Sequence, residues 1–196
     1  MVSLYFKRRI IMKYLGELFD EHPVHFPLDS ELIILTGENG TGKTKVLEMV
    51  KDYFEGRGNN VLYFPHDRRF TASKESIKKL LMEERMNNNF LKKMDIDISN
   101  YLKFNYIDQG MMISSGIEQL LNFFGNIMDE REDKIVIIDC PERSLHISTL
   151  RNLIGCMFDT GKIEKLFIVT NSPFLIGNKY MPDVIPIEDC VELYKE

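Results

Sequence analysis

The stretch Gly37-Glu38-Asn39-Gly40-Thr41-Gly42-Lys43-Thr44 constrains this chain more than any other, because it fits the pattern Gly, four residues of any kind, Gly-Lys-Ser/Thr. In front of it stands Leu32-Ile33-Ile34-Leu35, a short apolar run whose β-branching suits a buried parallel strand. Behind it come Val46, Leu47, Val50 and Phe54, spaced to share one face of a helix. Strand, glycine-rich loop and helix thus follow in the order that a phosphate cradle needs. Glycines let the main chain curl so that successive N–H groups point inward at an anion, and the helix N-terminus adds a favourable dipole. In such a loop Lys43 would meet β- and γ-phosphates as a point charge, and the Thr44 hydroxyl would complete the shell of a Mg²⁺ ion. Asn39, Gly40, Thr41, Gly42, Lys43 and Thr44 are therefore the expected cofactor-binding residues. A purely structural glycine-rich turn is the competing account.

With 196 residues the chain suits one domain, or one core with a small subdomain, and needs no metal or disulfide merely to fold. Twenty-five basic and 30 acidic residues give a formal charge of −5, so no global field favours nucleic acid or an anionic membrane. Cys140, Cys156 and Cys190 are odd in number and lack paired metal-ligand spacing, which points to reduced thiols. No stretch approaches the roughly 20 apolar residues of a membrane span, and Arg8 and Arg9 interrupt the start before a signal-peptide core develops. The expectation is a soluble cytoplasmic protein without membrane partners.

Along the chain, Leu4-Tyr5-Phe6 and Ile10-Ile11-Met12 flank the basic group Lys7-Arg8-Arg9 and read as one or two strands of a small antiparallel sheet. Phe19 to Ser30, with Pro23 and Pro27, reads as a turn and an edge strand. Val61-Leu62-Tyr63-Phe64 is a second buried strand, stopped by Pro65; His66-Asp67-Arg68-Arg69 follows where open α/β sheets place ligand groups. His66 has no second ligand nearby in sequence, and Arg68 or Arg69 suits either a nucleotide contact or a solvated surface. Ser73 caps a helix facing inward with Ile77, Leu80 and Leu81, and Met86 to Tyr106 belongs to a helical subdomain with a strand-like excursion. Gly116 opens an amphipathic helix with Ile117, Leu120, Leu121, Phe124 and Ile127 on one face. Ile135 to Asp139 is an apolar strand ending in an acid, Leu150 to Phe158 a helix, Leu166 to Val169 a strand, and Val184-Ile185 a short final strand. Strands alternating with helices predict an α/β fold with a parallel sheet covered on both faces. Asp139, at the end of its strand, would hold Mg²⁺ through water; the alternative is an acid capping the next turn.

The order of the phosphate loop, Ile113-Ser114-Ser115-Gly116-Ile117-Glu118-Gln119-Leu120-Leu121, the strand ending at Asp139, Pro141-Glu142-Arg143-Ser144-Leu145-His146 and Thr170-Asn171-Ser172-Pro173-Phe174-Leu175 resembles the ABC-type ATPase heads. The soluble branch of SMC-like, DNA-repair and phage-defence ATPases is the most similar group, and the resemblance runs from about Phe19 to Ile176. It implies a P-loop NTPase head over residues 1–196 with a mostly parallel core sheet, a small antiparallel N-terminal sheet and a small helical subdomain at roughly 71–128. It also implies that two heads close on ATP and Mg²⁺, as a homodimer or with a related ATPase. Ser114 and the N–H groups at the Gly116 helix would then reach the γ-phosphate from the opposite head, although a plain serine N-cap accounts for the same residues. Thr44 and Asp139 would face the metal.

Two departures bear on turnover. The family usually has a glutamate directly after the strand-ending aspartate, where this chain has Cys140, and a histidine in the switch after the last strand, where it has Asn171. A thiol with a pKa near ~8.5 substitutes poorly for a carboxylate base. Glu142 would replace it in part, and Asn171 keeps a hydrogen bond without a charge. With Asp139, these are the candidate catalytic residues. No glutamine follows the strand Val61 to Phe64, where related heads sense the metal. The expectation is ATP binding with slow hydrolysis. A noncatalytic subunit of a DNA-processing or phage-defence assembly, with a nuclease partner, is the alternative; a small-molecule kinase shares the loop but does not need Ser114.

Overall fold

The computed structural model describes residues 11–18, 22–66, 122–123, 125–127, 134–143, 163–172 and 184–191. Five parallel strands form the central sheet in the order β4-β5-β6-β3-β7: β3 (Leu32–Thr36), β4 (Val61–Phe64), β5 (Lys134–Asp139), β6 (Ile163–Val169) and β7 (Val184–Pro186). Helix α1 (Lys43–Glu55) follows β3, and a one-turn helix α2 (Ile187–Cys190) follows β7. Strands β1 (Lys13–Leu18) and β2 (His22–Phe26) form a separate antiparallel pair. An isolated bridge between Val24 and Val191 ties that pair to the end of the chain.

Every residue of β5 is buried, as the middle of a two-face-covered parallel sheet requires. Its alternation divides the core. Ile135 and Ile137 join Ile33, Leu35, Phe167 and Val169 in one apolar cluster with Val46, Leu47, Val50 and Phe54 of α1. Phe167 lies between Phe54, stacked at 5.8 Å, and Phe26, edge-on at 5.7 Å, so α1 and β2 close over the same strand. On the opposite face Ile34, Val136, Ile138, Leu166 and Ile168 are buried as well, and Phe64 meets Phe123 at 4.5 Å. The four helix residues expected to point inward from α1 all do so. Asp139 continues the odd series of β5 and therefore sits on the α1 side.

Lys134 opens β5 fully buried, and its Nζ donates to the carbonyls of Asn126 (2.9 Å) and Ile127 (2.8 Å). A lysine thus supplies donors to two carbonyls of the helical residues 125–127.

The N-terminal pair differs in place from its expectation. Among the described residues Ile11 and Met12 lie outside any strand, and β1 starts at Lys13. The sequence Lys-Tyr-Leu-Gly-Glu-Leu hides this strand because its register shifts between Tyr14 and Gly16, which breaks the two-residue period. Gly16 (φ +128°) stands where a Cβ would come within 3.2 Å of Met49 Cε, so the irregularity lets β1 lie against α1. α2 was not foreseen, being a single turn. Of the expected helical subdomain at roughly 71–128 only residues 122–123 and 125–127 are described, and the helix at Leu150 to Phe158 and the strand at Leu4 to Phe6 fall outside the described residues. Among the described residues no helix is long and apolar enough to cross a membrane.

Candidate functional site

The loop between β3 and α1 is built from backbone conformations that exclude most side chains. Gly37, Gly40 and Gly42 have φ of 148°, 84° and 89°. At Gly42 a Cβ would stand 2.8 Å from Leu18 Cδ2, so the last residue of β1 presses on the loop where α1 begins. α1 has no side-chain cap at its N-terminus and no acidic residue in its first turn. Its first main-chain bond runs from the Val46 N–H to the Gly42 carbonyl, at 3.0 Å. A helix start without a side-chain oxygen of its own is suited to an anion.

Lys43 is buried, and its Nζ donates to the carbonyls of Gly37 (2.8 Å) and Glu38. The Thr41 hydroxyl donates to the same Glu38 carbonyl at 2.8 Å. These bonds hold the ammonium over the loop. They use two of its three protons and leave one for a further acceptor.

Asp139 lies two strands from the loop-bearing strand, with β6 between them, a gap of about 10 Å. Thr44 crosses it from the first turn of α1: its hydroxyl donates to Asp139 Oδ2 at 2.7 Å. His66 Nδ1 stands 3.1 Å from the same oxygen. The Asp139 side chain is wholly buried, yet its Oδ1 has no hydrogen-bond partner. Burying a carboxylate with an unsatisfied oxygen is costly unless a cation or donor meets it. The Thr44 hydroxyl and the Asp139 carboxylate, one of whose two oxygens is orphaned, form a hard-oxygen donor set of the type Mg²⁺ takes, and so these residues fit that ion.

After β5 the chain turns sharply. Cys140 takes φ +50°, in the left-handed region, and its N–H donates to the Val169 carbonyl at 2.9 Å. A short 3₁₀ turn over Pro141–Arg143 follows and brings Glu142 beside the end of β6. Glu142 Oε1 accepts the Asn171 N–H at 3.1 Å, while its Oε2 is buried without a partner. The Asn171 side-chain amide donates to Asn39 Oδ1 of the loop at 2.6 Å. Next to it Thr170 is fully buried, its N–H bonded to the Leu35 carbonyl at 3.1 Å and its hydroxyl accepting the Ser172 N–H at 2.9 Å. The C-terminal ends of β3, β5 and β6 therefore share one connected polar patch.

The sequence-predicted residues Asn39, Gly40, Thr41, Gly42, Lys43, Thr44, Asp139, Glu142 and Asn171 meet at this edge of the sheet. Ser114 and Gly116 lie outside the described residues. His66, which has no second candidate ligand near it in sequence, stands in the structure against the Asp139 carboxylate from 73 positions away. Its signal was its place, two residues past Phe64 at the C-terminal end of β4, the strand that pairs with β5.

No protein-family model matches the sequence, and no curated protein matches it. Among solved structures the chain resembles one described as a putative ABC transporter (ATP-binding protein) from Pyrococcus furiosus. The TM-score is 0.56, with alignment over 91% of this chain and 97% of the other. The two chains share a fold. Their sequences are 11% identical, so the likeness concerns architecture alone: an α/β domain with a parallel central sheet and a small antiparallel sheet.

Proposed function

We propose that this protein is an ABC-type head that binds ATP with Mg²⁺ between β3 and α1, and uses nucleotide-dependent dimerisation, or docking on a related ATPase, as a slow switch. The observation that carries the reading is the convergence of Thr44 and the buried, half-satisfied Asp139 carboxylate beside the loop that holds Lys43. Lys43 and the loop N–H groups would bind the triphosphate, and Thr44 and Asp139 would hold the cation. When bound, the cation would neutralise charge on the β- and γ-phosphate oxygens. Glu142 and Asn171 would orient water at the phosphate: one carboxylate oxygen of Glu142 is already fixed by the Asn171 main chain, and Asn171 in turn touches loop residue Asn39. Ser114 and Gly116 would approach the γ-phosphate from a second copy or a related head.

Slow turnover follows from the chemistry after β5. Cys140 stands where a carboxylate would be the direct base, and a thiol is weakly basic toward water at neutral pH. Losing one general base typically lowers the rate by about 10²–10⁴-fold. Steady-state phosphate release, measured with size-exclusion chromatography in a nonhydrolysable ATP analogue, tests both halves. We expect slow release and a shift to a dimer or a complex; fast turnover contradicts the slow switch, and no size change in any mixture contradicts the dimer.

The same Cys140 favours a second reading, a noncatalytic subunit of a DNA-processing or phage-defence complex in which ATP is a permanent structural ligand. In that case Lys43→Ala would lose its fold or its partner instead of a cycle.

A further inference from the structure

We propose that His66 is a direct ligand of the divalent cation, forming with Thr44 and Asp139 a mixed oxygen and nitrogen site that favours Mn²⁺ and the later first-row metals over Mg²⁺. The inference rests on the reading above, that Thr44 and Asp139 face a cation. Asp139 Oδ2 stands 2.7 Å from Thr44 Oγ1 and 3.1 Å from His66 Nδ1. Donors on adjacent vertices of an octahedron with metal bonds of about 2.1 Å lie about 3.0 Å apart. Both separations are close to that size, so Thr44 Oγ1 and His66 Nδ1 each stand from Asp139 Oδ2 as an adjacent donor would. The pairing of β4 with β5, Phe64 beside Ile138, fixes this proximity through the sheet. Pro65 ends the strand and turns the chain one residue before the imidazole.

Exposure agrees with a ligand role. The Asp139 side chain is fully buried while that of His66 is 36% exposed, so the imidazole touches both the buried carboxylate and solvent. In the tautomer that carries its proton on Nε2, the imidazole offers its Nδ1 lone pair on the side of Asp139. Among the described residues no three His, Cys, Asp or Glu side chains cluster as an all-protein cage, so the site is a partial one that a nucleotide's phosphates would complete. Replacing one oxygen by an imidazole nitrogen moves preference from Mg²⁺ toward Mn²⁺, Co²⁺ and Ni²⁺. The competing geometry has Nδ1–H donating to Asp139 Oδ2, which makes His66 a positioning residue.

The two differ spectroscopically. Full-length protein labelled with ¹⁵N-histidine is mixed with Mn²⁺ and a nonhydrolysable ATP analogue, and pulsed electron paramagnetic resonance is recorded. The proposal expects a ¹⁵N coupling of a directly bonded imidazole, absent in His66→Ala and His66→Gln, and a preference for Mn²⁺ over Mg²⁺ that falls about tenfold or more in both variants. Protein-bound Mn²⁺ without ¹⁵N coupling, or coupling that survives in the variants, overturns the ligand role and leaves the nucleotide reading standing. A Mn²⁺ nucleotide signal identical with and without protein overturns both.

Discussion

Gly42 and Gly40 make a matched pair for asking what the loop geometry costs. Both have positive φ, but a Cβ at Gly40 meets nothing within 4 Å, whereas one at Gly42 would lie 2.8 Å from Leu18. Gly40→Ala carries only the backbone term, about 1 kcal/mol, and Gly42→Ala adds overpacking, for a total of about 2–4 kcal/mol. Thermal unfolding of the two variants should therefore differ clearly; equal midpoints would mean that Leu18 yields without cost. The glycines and Lys43 were legible in the sequence because their spacing is local and their chemistry leaves few substitutes. Asp139 was legible as well, since one acid closing an apolar strand is conspicuous. His66 was not: its partner lies 73 residues away, and only the pairing of β4 with β5 brings them together. The orphaned Asp139 Oδ1 is also a property of packing that no sequence pattern carries.

Among the elements, the core strands announced themselves as runs of β-branched residues, since both faces of the sheet are buried and the signal needs no alternation. β1 did not, because its bulge at Gly16 interrupts the pattern and half of its surface is polar. The order β4-β5-β6-β3-β7 was likewise beyond reading, as strand order depends on crossovers and not on composition. Lys134 shows the same limit. It precedes the apolar run that marks β5 in the sequence, and it is fully buried and bonded to the Asn126 and Ile127 carbonyls. Lys134→Met keeps the apolar stem but strips those acceptors of their donor. Denaturant unfolding should register a loss of about 1–3 kcal/mol or more. Lys45→Met, on the exposed face of α1, should stay within about 0.5 kcal/mol. A Lys134 variant as stable as that control would contradict a stabilising role for those two bonds.

For the whole molecule, one buried group ties stability to alkaline pH. Burial, and then the neighbouring charges of Asp189 and Glu188, push the Cys190 thiol up from 9.0 to about 12. In the unfolded chain it ionises near 9.0, so between that value and about 12 the unfolded state holds fewer protons than the native one and stability falls as pH rises. The slope from this group approaches about 1.4 kcal/mol per pH unit, and Cys190→Ala should flatten it in urea titrations at pH 8, 9.5 and 10.5. An unchanged slope would place the alkaline loss elsewhere. The central claim concerns the triphosphate. Its most direct measurement is isothermal titration of the wild-type chain and of Lys43→Ala with ATP and a divalent cation, circular dichroism serving to confirm that both are folded. Saturable binding is expected of the wild type, and binding weakened by about ten- to a hundredfold when the ammonium is removed, the value of one or two charge-assisted bonds. A folded wild-type chain that takes up no nucleotide, or a Lys43→Ala variant that binds it equally well, would contradict it.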